Sequence, residues 1–136
     1  MSISRNLYPD DWADISRRIR FERAGGRCEC HRECGHAHPG GRCNAPHGTT
    51  VYRRKTEPWL WRAEPDEDAY PVRIILTTAH LDHDRANNDD ANLRALCQFC
   101  HLNHDRLHAA ALRRQRALEA GQLELPFDRQ ARDALL

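Results

Sequence analysis

The cysteines constrain this chain more than any other residues. Four fall in one short window, at Cys28, Cys30, Cys34 and Cys43, and two form the pair Cys97-Gln98-Phe99-Cys100 far downstream. The upstream window also holds His31, His36, His38 and His47 among glycines and prolines, with too little apolar surface for burial to order it. Thiols and imidazoles at this density order a loop by ligating metal, because the bound ion supplies the folding free energy that a core would otherwise give. The chain has 136 residues, 40% of them apolar, and shows neither a basic segment leading into an apolar one nor a long apolar run. The expectation is a cytoplasmic metal protein without membrane contact, not a secreted disulfide scaffold.

A tetrahedral zinc needs four soft ligands, and a Cys-x-x-Cys knuckle offers two without straining the backbone. Cys97 and Cys100 are one such pair. The partner pair is read as Cys30 and Cys34, a knuckle one residue longer, with Gly35 easing the turn beneath the metal. Cys28 and Cys43 are the alternatives. One structural Zn²⁺ with spare thiols is favoured over a second zinc sharing Cys28, Cys43 and histidines.

Along the chain, Trp12, Ile15, Ile19 and Phe21 recur near a helical period between residues 10 and 24, with Asp10 and Asp11 available as caps and Gly25-Gly26 as a stop. Residues 56–71, with Trp59, Trp61 and an acidic run from Glu64 to Asp68, read as an insertion of undefined conformation whose tryptophans pack. Val72 to Thr78 reads as a strand leading into His80, residues 81–91 as a polar loop, and Leu93 to Leu96 as a second strand. A helix begins at Gln98 and carries Leu102, Leu107, Ala111, Leu112 and Leu118 as far as Gly121.

The segment His80-Leu81-Asp82-His83, Asn87-Asn88, Asn92-Leu93 and Cys97-Gln98-Phe99-Cys100-His101-Leu102-Asn103-His104-Asp105 resembles the HNH endonuclease family, in particular small zinc-containing phage and bacterial proteins. The resemblance extends over roughly residues 8–108, since Tyr8-Pro9-Asp10-Asp11-Trp12, Ile15-Ser16-Arg17-Arg18-Ile19 and Gly26-Arg27-Cys28 look like the entry to such proteins. It implies an α+β, zinc-stapled domain with a ββα-metal core at about residues 72–118, an N-terminal helix and a metal-binding loop. The nuclease domain would cover residues 1–118 and a tail residues 119–136. The implied activity is metal-dependent hydrolysis of DNA phosphodiester bonds, in which histidine activates water and a divalent cation such as Mg²⁺ or Mn²⁺ neutralises phosphate charge.

Carried over residue by residue, His80 matches the general base, Asn92 the loop-fixing asparagine and His101 the final histidine of the motif. Asn87 and Asn88 are weaker candidates for the same loop-fixing role. The family often has Asp or His just before the base, whereas this chain has Ala79, so the ligand falls to Asp82 or His83. A second register takes Asp82-His83 as the Asp-His pair itself. On a helix, His101, Asp105 and His108 share one face, with His104 one position round from Asp105, so these are the expected ligands of the catalytic cation.

Net charge is +1, distributed as +5 over residues 1–55, −6 over 56–91 and +2 over 92–136. Arg17, Arg18, Arg20 and Arg23 are the candidate contacts to double-stranded DNA, although a solvated helix face explains them equally well. The alternatives to an enzyme are a catalytically inactive, zinc-stabilised nucleic-acid-binding module, motivated by Ala79, and a zinc domain for protein contacts. In the tail, Gln122-Leu123-Glu124-Leu125-Pro126-Phe127 resembles the short peptides that dock on the bacterial sliding clamp, although packing back onto the domain is the plainer role for its leucines.

Overall fold

The periodic apolar residues near the N-terminus form a helix that widens partway along. In the computed structural model, which describes residues 8–122, α1 spans Trp12–Arg17 and runs on as a π-helical turn, Arg18–Arg23. Ile19 is fully buried, and Trp12 and Ile15 pack against the same core, whereas Phe21 is 39% exposed. Asp11 holds the N-cap position but makes no side-chain cap bond. Gly25 and Gly26, at φ +66° and +74°, end the turn in a conformation that L side chains rarely adopt.

Residues 56–71, unassigned from sequence, belong to a three-stranded antiparallel sheet in the order β2-β1-β3, formed by β1 (Thr50–Arg54), β2 (Glu57–Arg62) and β3 (Ala69–Arg73). Alternation along β1 buries Val51 and Arg53. Pro71 is tolerated because β3 is an edge strand. The acidic run closes the β2–β3 connection through Asp66, which accepts from Arg54 at 2.6 Å and Arg62 at 2.7 Å.

The strand expected from Val72 is divided. Val72 and Arg73 finish β3, and Thr77 opens β4 (Thr77–His80), which pairs antiparallel with β5 (Leu93–Leu96) in the register Thr77↔Leu96 to His80↔Leu93. Between them the amides find separate partners: Ile74 N–H donates to the Thr49 carbonyl, Ile75 to Gln98 Oε1 and Leu76 to His47 Nδ1. No single ladder can continue through amides committed in three directions.

Helix α2 spans Gln98–Glu119. The chain divides into two compact units, Met1–His104 and Asp105–Leu136. In the second, α2 ends where Gly121 N–H bonds the Leu118 carbonyl and Gln122 N–H the Ala117 carbonyl, a Schellman closure with Gly121 at φ +74°. The predicted leucine stripe stands largely in solvent, with Leu102 and Leu107 each 51% exposed. No helix among the described residues is long and apolar enough to cross a membrane. The clamp-like segment lies, beyond Gln122, outside the described residues.

The core of the first unit is built from Ile19, Val51, Ile74, Leu76, Leu93 and Leu96 together with all six cysteines. Replacing fully buried Leu93 by Ala should cost about 2–5 kcal/mol of the zinc-loaded protein's stability, from lost transfer energy plus a cavity. Leu102→Ala, at a half-exposed site, should stay within about 0.5 kcal/mol. Urea melts giving equal losses would contradict this placement of the core.

Candidate metal centre

The upstream cysteines reach one place because their segment folds back on itself. Cys28 N–H donates to the Ala45 carbonyl at 3.0 Å, Asn44 N–H to the Cys28 carbonyl at 3.0 Å and Cys43 N–H to the Cys30 carbonyl at 2.9 Å. Alternation in this extended pairing sends Cys28 and Cys30 to one side and Glu29 to the other. Glu29 then anchors the segment to β5: its amide donates to the Ala95 carbonyl at 2.7 Å, and its carboxylate accepts the Ala95 amide at 2.8 Å. Cys97 and Cys100 arrive from the start of α2, where a backbone hydrogen bond from Cys100 is among the contacts that favour the Cys97 thiolate.

Two groups of four donors result, Cys28, Cys43, Cys97 and Cys100 in one and Cys30, Cys34, His38 and Cys100 in the other, all buried, with ligand atoms within 4.8 Å of one another in each group. None of the cysteines is in a disulfide. A zinc with Zn–S near 2.3 Å and Zn–N near 2.0 Å sets neighbouring donors about 3.5–3.8 Å apart. His38 Nε2 lies 3.4 Å from Cys34 Sγ and 3.8 Å from Cys100 Sγ, which fits a ligand set. The soft, thiolate-rich donors favour zinc over hard cations.

Grouping differs here from the sequence expectation. Cys30 and Cys34 do form a pair and Cys100 joins them, but Cys97 belongs with Cys28 and Cys43, the thiols expected to be spare. The fourth ligand of the Cys30 group is His38, which sequence reasoning missed; among four histidines in the loop, nothing in spacing singled it out.

Electrostatics explain why bare thiols would be unstable so packed. Contacts from Cys28 first, then Cys30, Cys34 and Cys43, push the Cys100 thiol far above its ordinary range, while contacts with Cys100 first hold Cys34 and Cys97 far below theirs. A dication removes this conflict by neutralising thiolates together. Arg53, only 3% exposed, directs Nη2 to Cys97 Sγ at 3.5 Å, and the backbone N–H of Cys97 donates to Cys28 Sγ at 3.3 Å. Arg53 also donates to the Pro58 carbonyl at 2.7 Å and lies over the Phe99 ring. The two sheet tryptophans border the same loop: Trp61 Nε1 donates to the Cys43 carbonyl at 2.6 Å, and Trp59 stacks on His36 at 4.2 Å.

The residues matched to the nuclease motif occupy the other end of β4. His80 is 8% exposed, stacked on Trp12 at 5.0 Å, with Nε2 2.9 Å from Asn88 Oδ1. The Asn88 amide nitrogen donates to the carbonyls of Arg85 and Ala86, so its oxygen faces the imidazole. With the amide oxygen as acceptor, His80 Nε2 is the donor in this pair. Asn92 fixes the loop, donating to Asp82 Oδ1 and the Asn87 carbonyl, each at 2.9 Å, while its own oxygen accepts the Asp82 amide. The Asn87 side chain, the Asp84 amide and Asn92 together hold the Asp82 carboxyl down to about 2.

Among the described residues, the groups of three or more donors that could hold an ion are formed by the cysteines and His38, and do not include the expected ligands of a catalytic cation. His101 Nδ1 meets Thr77 Oγ1 at 2.5 Å, at the end of β4 away from His80. His104 stacks on His83 at 4.4 Å, with His83 at φ +59°. Asp82 is committed to its own loop, and Asp105 and His108 belong to the second unit. His101 thus braces the hairpin, a role its motif position does not reveal.

The helix arginines are largely used within the protein. Arg18 bonds Asp90 through both guanidinium nitrogens, at 2.9 and 2.7 Å, holding that carboxyl below its ordinary range. Arg23 reaches Glu29 at 2.7 Å and the carbonyls of Asp90 at 2.7 Å and Leu93 at 2.5 Å. Arg17 pairs with Asp14, and Arg20 bonds Ser16. Arg18 and Arg23 thereby fasten the π-helical turn to β5.

Two outcomes test this arrangement. Cys28→Ser and Cys43→Ser should each lower stability by on the order of 4 kcal/mol, as Cys97→Ser should, since each removes a buried ligand; thermal midpoints unchanged in the first two would restore them as spare thiols. For Asp82, the folded value lies below the unfolded one near 3.9, so its loop contribution is complete above that pH and fades as pH falls toward about 2. Asp82→Asn should speed amide exchange at Asp84 and Asp82 at neutral pH while leaving metal content unchanged. These expectations rest on the chain's own chemistry, for no family model matches it and neither curated proteins nor solved structures provide a match.

Proposed function

We propose that this chain is a zinc-stapled HNH-type domain that hydrolyses DNA phosphodiester bonds, with His80 as general base. The observation that carries it is the contact of His80 Nε2 with Asn88 Oδ1 beside the stacked Trp12 ring. Asn88 fills Nε2, so the lone pair on Nδ1 is available to take a proton from water, and Trp12 holds the ring plane. Asn92 is the positioning residue of the loop that presents Asn88, in keeping with its place in the motif. A divalent cation, when bound to such a domain, neutralises charge on the phosphate.

A second function, nucleic-acid binding without catalysis, is favoured by a different observation. The His80 ring is nearly covered, and Ala79, buried at 2% exposure, stands where the family commonly has a ligand. Incubation of supercoiled plasmid with the zinc-loaded protein and a panel of divalent metals, with and without EDTA, separates the two. An enzyme gives metal-dependent nicking or linearisation, reduced about 10²-fold or more in His80→Ala. Asn88→Ala should reduce turnover and alter its pH profile, because His80 Nε2 loses its acceptor. Absence of cleavage by folded protein, alongside salt-dependent DNA retention, would establish the binding module instead.

A further inference from the structure

The geometry points to a binuclear metal cluster, two zinc ions per chain bridged by the thiolate of Cys100, with Cys28, Cys43 and Cys97 completing one tetrahedron and Cys30, Cys34 and His38 the other. The inference stands apart from any nuclease activity. It follows from how the seven donors are shared. Two separate tetrahedra need eight ligands, and two that share a vertex need seven, which is the number brought together here. Cys100 is the only residue in both groups, and it lies on the first turn of α2, between the Cys28–Cys43 layer and the Cys34–His38 turn.

A single zinc does not satisfy this arrangement. Placed among Cys28, Cys43, Cys97 and Cys100, it leaves Cys30, Cys34 and His38 buried beside it. Placed in the second group, it leaves Cys28, Cys43 and Cys97 buried in the same way. His38, 6% exposed, directs Nε2 at the sulfurs of Cys34 and Cys100, a direction suited to an ion shared with them. A thiolate has lone pairs enough to bind two ions, and its charge lies between theirs and offsets their repulsion. Six thiolates and a neutral imidazole around two Zn²⁺ leave a net charge of −2, which the buried Arg53 guanidinium beside Cys97 half offsets. Loading releases the thiol protons to solvent and involves no change in oxidation state.

Native mass spectrometry of the full chain and ¹¹³Cd NMR after exchange with ¹¹³Cd²⁺ test the proposal. Two metal ions per chain are expected, with two cadmium resonances in the sulfur-rich range showing mutual coupling through the shared sulfur. Cys30→Ser should abolish the coupling and remove one resonance, leaving the Cys28, Cys43, Cys97 and Cys100 site. Saturation at one ion per chain, or two resonances without coupling, would overturn the bridge. The wild-type spectrum decides the matter even where a variant fails to fold.

Discussion

The burial together of six thiols, grouped so that they could hold a metal ion, is the constraint on which the first unit depends. The sulfurs fill the centre of the core and gather three stretches that have little else in common: the glycine-rich loop through Cys43, the end of β5 at Cys97, and the first turn of α2 at Cys100. Around them the apolar side chains are few. Ile19, Val51, Ile74, Leu76, Leu93 and Leu96 close over the cluster as a shell and do not form a separate core. A chain of this size buries a limited fraction of its surface, and coordination of an ion by these thiols would supply what apolar area does not. Arg53 shows how far the packing is adapted to charge, because a cation so deeply buried is tolerable only beside anionic sulfur and carbonyl oxygen.

The hairpin of β4 and β5 stands between this cluster and the His80 loop. On one side Cys97 and His101 tie its outer end to the thiol cluster and the helix; on the other, His80 and Asn92 face a loop braced by carboxamides. The helix arginines complete the mounting, with Arg18 and Arg23 gripping Asp90, Glu29 and the Leu93 carbonyl. Together these bonds hold the His80 ring in one place against Trp12.

How much of this was legible in the sequence varies with the range of the interaction. Local patterns read well. The polar loop after His80, the short strand after Asn92 and the helix from Gln98 appear, and the strand before His80 appears in its last residues, because alternation, turn residues and helical period are properties of neighbouring positions. The sheet around Trp59 and Trp61 did not, since β2 shows no apolar alternation and gains its order from pairing with β1. That the chain gathers metal-ligating groups could be read from six cysteines, but which thiols group together could not. Partition among ligands is decided by backbone bonds such as Cys43 to Cys30 and Glu29 to Ala95, whose partners are distant in sequence. The arginines of the first helix give the same lesson, since their carboxylate and carbonyl acceptors lie far along the chain.

Cys100 is separated from Cys43 by the whole of the three-stranded sheet, the hairpin and its loop, so the last ligands are synthesised long after the first. Closing that span is paid in chain entropy before coordination returns anything. During synthesis the upstream loop must therefore wait with its thiols exposed and its backbone unpinned, and β1 to β3 are made before the cluster they pack against can exist. Assembly is thus timed by the emergence of one short segment at the start of α2, and a nascent chain cut short of it has a metal-binding loop but no means of becoming a domain.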